Sequence, residues 1–218
     1  MLIVPGINCQ DADCVATKFA QVREIFAGVS ASQKIVHIDV ADGGFTDGYA
    51  TWRSPADLVA LCADPSIRIE VHLMVNEPER IIEQWLNAGA QRVIVHVEAT
   101  DVIPALVGTC AGLNKELMLS LRPDTPVSRV LPYLASVLGC QLLAVKPGLS
   151  GQLFDRGTLD KIRAIKAASP RTFVEVDGGV NLEVARLVAT AGADSAVVAS
   201  AIWNSADAIA TYRALTAI

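Results

Sequence analysis

An alternation of two kinds of segment runs through this chain from one end to the other. Short β-branched runs, at 2–4, 35–40, 67–74, 92–96, 116–121, 141–145, 172–176 and 195–199, are each followed by a longer amphipathic segment. Segment 12–26 shows the helical half of the pattern, with Val15, Phe19, Val22 and Phe26 on one face. Pro55 and Pro78 stand where a first helical turn accepts proline. Ala-Gly-Ala at 88–90 and again at 191–193 closes a helix before a new strand, with glycine as the C-cap. Eight strand–helix units without a linker or a composition shift predict an α/β chain folded as one (β/α)8 TIM barrel over residues 1–218. A doubly wound open sheet is the alternative, but no GxGxxG follows the first strand.

Composition narrows the function. With 52% hydrophobic and 19% charged residues, 218 residues can bury a sizeable core, which excludes a disordered chain. A net charge of -5, no Lys/Arg block and 5% aromatics give nucleic acid neither an electrostatic footprint nor a stacking platform. The most apolar stretch, 131–145, is broken by Pro132, Gly139 and Gln141, so no membrane span is expected. The opening MLIVPGINCQ has no basic n-region, so the expected location is cytoplasmic. A mean hydropathy of +0.40 is compatible with a homo-oligomer interface and equally with a barrel core. Five cysteines, at 9, 14, 62, 110 and 140, form no CxxC pair and read as reduced, buried small hydrophobes.

In a barrel the chemistry sits at the C-terminal ends of the strands. The three histidines, His37, His72 and His96, all fall at or near such ends, and the few polar residues are expected to concentrate there. His37 and Asp39 are two apart in IVHIDVADGGF, so both side chains face the same side of the strand. His72 ends EVHLMV, and Asp177 follows the apolar run of FVEVDGGVN. Two His and two Asp converging on one cavity form an N2O2 ligand set that suits Zn, Mn, Fe or Co better than Mg. Asp42 reads instead as a turn residue. Glycine turns after the last three strands, KPGLSGQ, DGGV and the start of ASAIW, offer backbone N–H groups to a phosphate.

These residues resemble the ribulose-phosphate 3-epimerase family over nearly the whole chain. HIDVADGGF is similar to that family's H-x-D-x-M-D-G-x-F. VHLMVNEPERIIEQWLNAGA, VKPGLSGQLFDRGTLDKIRAIK and VEVDGGVNLEVARLVATAGAD match it in motif and order. The resemblance implies a ribulose-phosphate-binding barrel that interconverts ribulose 5-phosphate and xylulose 5-phosphate with a divalent metal, zinc preferred. It puts the metal ligands on His37, Asp39, His72 and Asp177. Epimerisation at C3 needs an acid/base group on each face of the sugar and passes through a cis-enediolate. Asp39 and Asp177 are the expected catalytic pair. The expected partner is a small phosphorylated ketose. Substrate and phosphate contacts are expected from Gly6, Asn8, Met74, Lys146, Gly148, Ser150, Gly151, Gly178, Gly179, Ala199 and Ser200.

The chain also departs from the family pattern. Pro-Ser-Ile becomes Pro5-Gly6-Ile7, leaving Asn8 as the nearest replacement for the serine's hydrogen bonding. Two methionines become Ala41 and Leu143, which predicts a wider cavity floor and opens a hexulose 6-phosphate as alternative substrate. Gly-Phe-Gly-Gly becomes Gly148-Leu149-Ser150-Gly151, and a glycine becomes Ala199. Lys146 replaces an asparagine, as a phosphate-side cation or, in a Schiff-base aldolase, as the nucleophile. A barrel that binds a phosphorylated ligand without turnover is the non-enzymatic alternative. Glu98 is expected to organise the site wall, and Trp52, Trp85 and Trp203 to pack. Asp47, Tyr49 and Arg53 lie in a segment that covers the mouth in such folds, with no contact assigned.

Overall fold

The computed structural model describes residues 1–61 and 64–218. Cys62 lies outside the described residues. Eight parallel strands close a barrel in chain order: β1 (Leu2–Ile7), β2 (Ile35–Ala41), β3 (Arg68–Met74), β4 (Arg92–His96), β5 (Glu116–Leu121), β6 (Gly139–Leu143), β7 (Phe173–Asp177) and β8 (Ser195–Val198). Around it run α1 (Ala12–Ile25), α2 (Pro55–Leu61), α3 (Ile82–Asn87), α4 (Ile103–Gly112), α5 (Thr158–Ala168), α6 (Leu182–Ala191), α7 (Ser200–Trp203) and α8 (Ala208–Thr216). Among the described residues, no helix is long and apolar enough to cross a membrane.

Local chemistry sets the boundaries. Asp11, Asn181 and Asp207 each accept a backbone N–H at the start of α1, α6 and α8, satisfying a donor that the first turn leaves open. Gly192 closes α6 in the left-handed conformation, as the Ala-Gly-Ala signal predicts. Several expected strand bounds shift, and one expected helix does not form among the described residues. β1 runs through Pro5, because residues 2–5 pair with β8 while Gly6 and Ile7 pair with β2. The proline's missing N–H falls at that change of partner. β6 ends at Leu143, so Lys146 sits in the loop beyond it. After β5 no α-helix forms among the described residues; two 3-10 turns at 127–129 and 131–133 take its place. Pro126 and Pro132 flank and interrupt that segment, and a proline cannot donate in a helix interior.

The apolar residues pack the layer between barrel and helices, joining Val36, Ile38, Val40, Val71, Leu73, Val93 and Val95 with Phe19, Leu58 and Trp85 in one cluster. Trp52 packs edge-on against Trp85, with ring centroids 5.7 Å apart. Period-two alternation sends the other half of each strand into the lumen. There the expectation of polar residues only at the strand ends fails. Glu70, Arg92, Ser120, Gln141, Glu175 and Ser195 are buried inside the barrel below the mouth.

Cys9 and Cys14 are joined by a disulfide, with Cα atoms 5.8 Å apart. This corrects the expectation of reduced cysteines. Asp11 caps α1 between them and brings the end of β1 next to the first helical turn, a proximity invisible in a C-x4-C spacing. Cys110 and Cys140 are free and buried, as expected.

Candidate active site

Strand register brings the predicted ligands together. Asp39 and His72 are direct partners between β2 and β3, and Asp177 ends β7 across the barrel. One ligand atom from each of His37, Asp39, His72 and Asp177 lies within 4.8 Å of the others. His72 Nδ1 is 3.0 Å from Asp39 Oδ1 and 3.6 Å from Asp177 Oδ2. His37 Nε2 is 3.2 Å from Asp39 Oδ1 and 3.9 Å from Asp177 Oδ2.

Partners behind the cluster orient both imidazoles. His37 Nδ1 contacts Glu70 Oε1 at 2.9 Å, and Glu70 is itself paired with Arg92 at 2.7 Å. A carboxylate only accepts, so His37 donates from Nδ1 and turns Nε2 toward the cluster. On the other side His72 Nε2 lies 2.9 Å from His96 Nε2, and His96 Nδ1 lies 3.2 Å from Glu98 Oε2. Burial would raise the Glu98 carboxyl, but His96 and the Arg122 N–H outweigh it and hold it at about 2. Burial pushes the His96 imidazolium down to about 4. An ionised Glu98 accepts from His96 Nδ1, so His96 Nε2 accepts from His72 Nε2. That leaves a lone pair on His72 Nδ1 facing Asp39 Oδ1. Two lone pairs 3.0 Å apart call for a cation between them, and the four residues fit a divalent metal on that ground.

The two carboxylates are electrostatically unlike. Burial would raise Asp39, yet the hydrogen bond and the charge of His37 hold it well below the usual carboxylate range. Asp177 is pushed up to about 7 by burial and by the charge of Asp39. Both line a cleft whose other residues include Asn8, Met74, Leu143, Gly148, Ser150, Gly151, Gly178, Gly179, Ala199 and Ser200. His37 and His72 are fully buried at its floor. The Gly178–Gly179 pair takes positive φ, and a Cβ on Gly179 would lie 2.5 Å from the Phe154 N, so only glycine lets the two loops meet. Asn181 caps α6 itself, which leaves Asp177 to the cleft. Asp42 accepts from Gly44, Phe45 and Asn76 backbone N–H groups, as a turn residue should.

Two expected contacts are not brought to the cleft. Lys146 is 71% exposed and pairs with Asp47 at 2.7 Å, turned to solvent beyond the shortened β6. Gly6 packs instead of lining: a Cβ there would meet Val197 Cγ1 at 2.8 Å and Ala199 Cβ at 3.3 Å. Gly6 and Ala199 thus depart from the family pattern together. Val197 chiefly, with the methyl of Ala199, takes the space that a side chain at position 6 would need. Trp203 donates to the Gly6 carbonyl at 2.6 Å and carries Lys18 over its ring, a packing role as expected. Ala41 packs with Phe45 and Met74 and does not itself line the cleft, whereas Leu143 does. Sequence reasoning missed Glu70, Arg92 and Glu175. The signal was period two: each lies two residues before another lumen-facing position, as Glu70 does before His72.

Comparisons agree with this geometry. The model of the Ribulose-phosphate 3 epimerase family matches residues 12–203. Ribulose-phosphate 3-epimerase of Mycobacterium leprae (strain TN) is 32% identical over 218 residues, covering 98% of this chain and 93% of its own. That of Chlamydia trachomatis serovar D is 29% identical, covering 92% and 85%. Among solved structures, 3-hexulose-6-phosphate synthase from Salmonella typhimurium superposes with a TM-score of 0.75 at 14% identity, covering 100% of this chain and 97% of that one. At that identity the likeness shows the fold alone. The family match and the Mycobacterium relative go further: the chain belongs to the ribulose-phosphate 3-epimerase family and is an epimerase.

Proposed function

We propose that this chain, acting as one barrel domain over residues 1–218, interconverts ribulose 5-phosphate and xylulose 5-phosphate by a two-base proton transfer at C3. The observation that carries the proposal is the convergence of Asp39 and Asp177, from β2 and β7, beside two oriented histidines in one cleft. A divalent ion, zinc by preference and otherwise Fe, Mn or Co, would be held by His37, Asp39, His72 and Asp177. It would supply Lewis-acid stabilisation of the negative charge developing on the substrate's oxygens. The protein's own groups supply the proton steps. Asp39, held ionised, takes the C3 proton from one face, and Asp177, whose burial favours the protonated form, returns one to the other. The reverse reaction exchanges the two roles.

The glycine-lined end of the cleft would take the phosphate. Backbone N–H groups at Gly178, Gly179, Ala199 and Ser200 suit an anion without a cationic side chain. The exposed, paired Lys146 gives no support to a Schiff-base aldolase. NMR in D2O tests the reading. Metal-loaded protein should place deuterium at C3 of ribulose 5-phosphate as xylulose 5-phosphate appears. Asp177→Asn should lower turnover by roughly 10³-fold with an unchanged circular dichroism spectrum. Substantial epimerisation by that variant would refute the two-carboxylate assignment, and no exchange by the loaded wild type would refute the substrate.

A further inference from the structure

Asn8 and Tyr49 meet directly above Asp39. The Tyr49 hydroxyl donates to Asn8 Oδ1 at 2.6 Å. Asn8 Nδ2 donates to Asp39 Oδ2 at 2.9 Å and to the Gly148 carbonyl at 3.0 Å. Both N–H groups and the oxygen of the carboxamide are therefore committed. The ionised Asp39 and the Gly148 carbonyl can only accept, so they fix the NH2 end toward themselves, and the Tyr49 hydroxyl satisfies the oxygen at the other end. Asp39 Oδ1 points at His37 and His72, so Oδ2, the atom that Asn8 holds, is the one left to face a substrate proton.

The same contacts join three separate pieces of chain. Asn8 follows β1, Tyr49 lies in the loop after β2, and Gly148 lies in the loop after β6 that walls the cleft. Tyr49 also packs on that wall: a Cβ at Gly148 would sit 3.4 Å from its Cβ and Cδ1. The Asp47–Lys146 pair lies along the same seam.

We propose that Asn8 is a positioning residue for Asp39, anchored through its carbonyl oxygen by Tyr49, and that it fastens the 146–152 wall over the reacting carbon. This rests on the epimerase reading given above and adds a specific device to it. A carboxylate must meet C3–H along a narrow approach. An amide that fixes its free oxygen and the cleft wall together makes the base correctly aimed only while the wall is closed. The Tyr49 hydroxyl bonds to Asn8 and makes no hydrogen bond to Asp39 or the histidines, so it acts through Asn8.

The test uses full-length, metal-loaded protein carrying Asn8→Leu, Tyr49→Phe or both. Asn8→Leu should lower kcat by about 10- to 100-fold while KM for ribulose 5-phosphate stays within about twofold, at wild-type metal content. Tyr49→Phe should lower kcat less, and the double variant should be no worse than Asn8→Leu, because both act through one amide. Amide hydrogen exchange at 146–152 should quicken in each. An unchanged kcat, a loss that tracks loss of metal, or full additivity in the double variant would overturn the inference. If the wild type does not turn over ribulose 5-phosphate, the substrate reading fails by itself. Exchange at 146–152 then decides the fastening: faster exchange in Asn8→Leu upholds it and unchanged exchange overturns it.

Discussion

Glu70 is fully buried, yet it joins the His37–Asp39–His72–Asp177 cluster to the rest of the lumen. One oxygen accepts from His37 and the other from Arg92, whose Nε reaches Glu116 at 3.0 Å. Burial would raise its carboxyl, but His37 and Arg92 together hold it below the ordinary value. Burial would also lower His37, and its hydrogen bonds to Asp39 and Glu70 reverse that, raising it well above the usual imidazole value. The metal-free chain therefore keeps a proton on His37 Nε2 that an incoming ion must displace, so metal uptake should release protons. Glu70→Gln keeps the shape and removes the charge. We expect it to weaken zinc binding by about 10- to 100-fold, measured by competition with a chromogenic chelator, and Glu70→Asp to restore part of the loss. Equal zinc affinity in Glu70→Gln would show that the carboxylate does not orient His37.

At the scale of the element, the corner between β1 and α1 combines the greatest constraint with the least warning in the sequence. It holds Asn8, the Cys9–Cys14 disulfide and the Asp11 cap within seven residues, 8–14. Closing so short a loop removes about 2 kcal/mol of entropy from the unfolded chain. Thermal unfolding with and without reductant should differ by about that amount, and equal stability would mean that the bond contributes nothing in solution. The closed barrel and the ligand strands were legible because apolar runs and period-two parity are local: His37, Asp39, His72 and Asp177 need only their own strand to point inward. What was not legible depended on neighbours. The β5–β6 connection hides its 3-10 turns behind an apolar stretch that looks helical, although Lys161 fixes it from outside by donating to the carbonyls of Arg122, Pro123 and Thr125. Lys146 looked like a strand-end residue until β6 stopped at Leu143. The close packing of Gly6 on Val197 and the Tyr49–Asn8–Asp39 contacts each join segments far apart in the chain, which no spacing reveals.

Across the whole molecule the barrel wall separates two environments. Its outer side is an apolar layer that accounts for the high hydrophobic content, while its lumen holds a register row of His96, Ser120, Gln141, Glu175 and Ser195. Ser120 donates to Gln141, and Gln141 and Ser195 both reach Glu175. A fully buried carboxyl beside the charge of Glu70 should resist ionising, and Glu175 is pushed up to about 8, chiefly by burial. The consequence for stability has a definite sign. The unfolded chain releases this proton near its ordinary value of 4.5, whereas the folded chain keeps it to about 8. The stabilising contribution is complete below that lower value and is lost as pH rises through the interval. Glu175→Gln keeps the hydrogen-bonding shape with no proton to lose. In metal-free protein, denaturant unfolding should therefore give the variant and the wild type similar stability at pH 4.5. The variant should be the more stable by about 1–3 kcal/mol at pH 8. A difference that does not change with pH would mean that Glu175 is ionised in the folded barrel, with Arg92 rather than a proton balancing its charge.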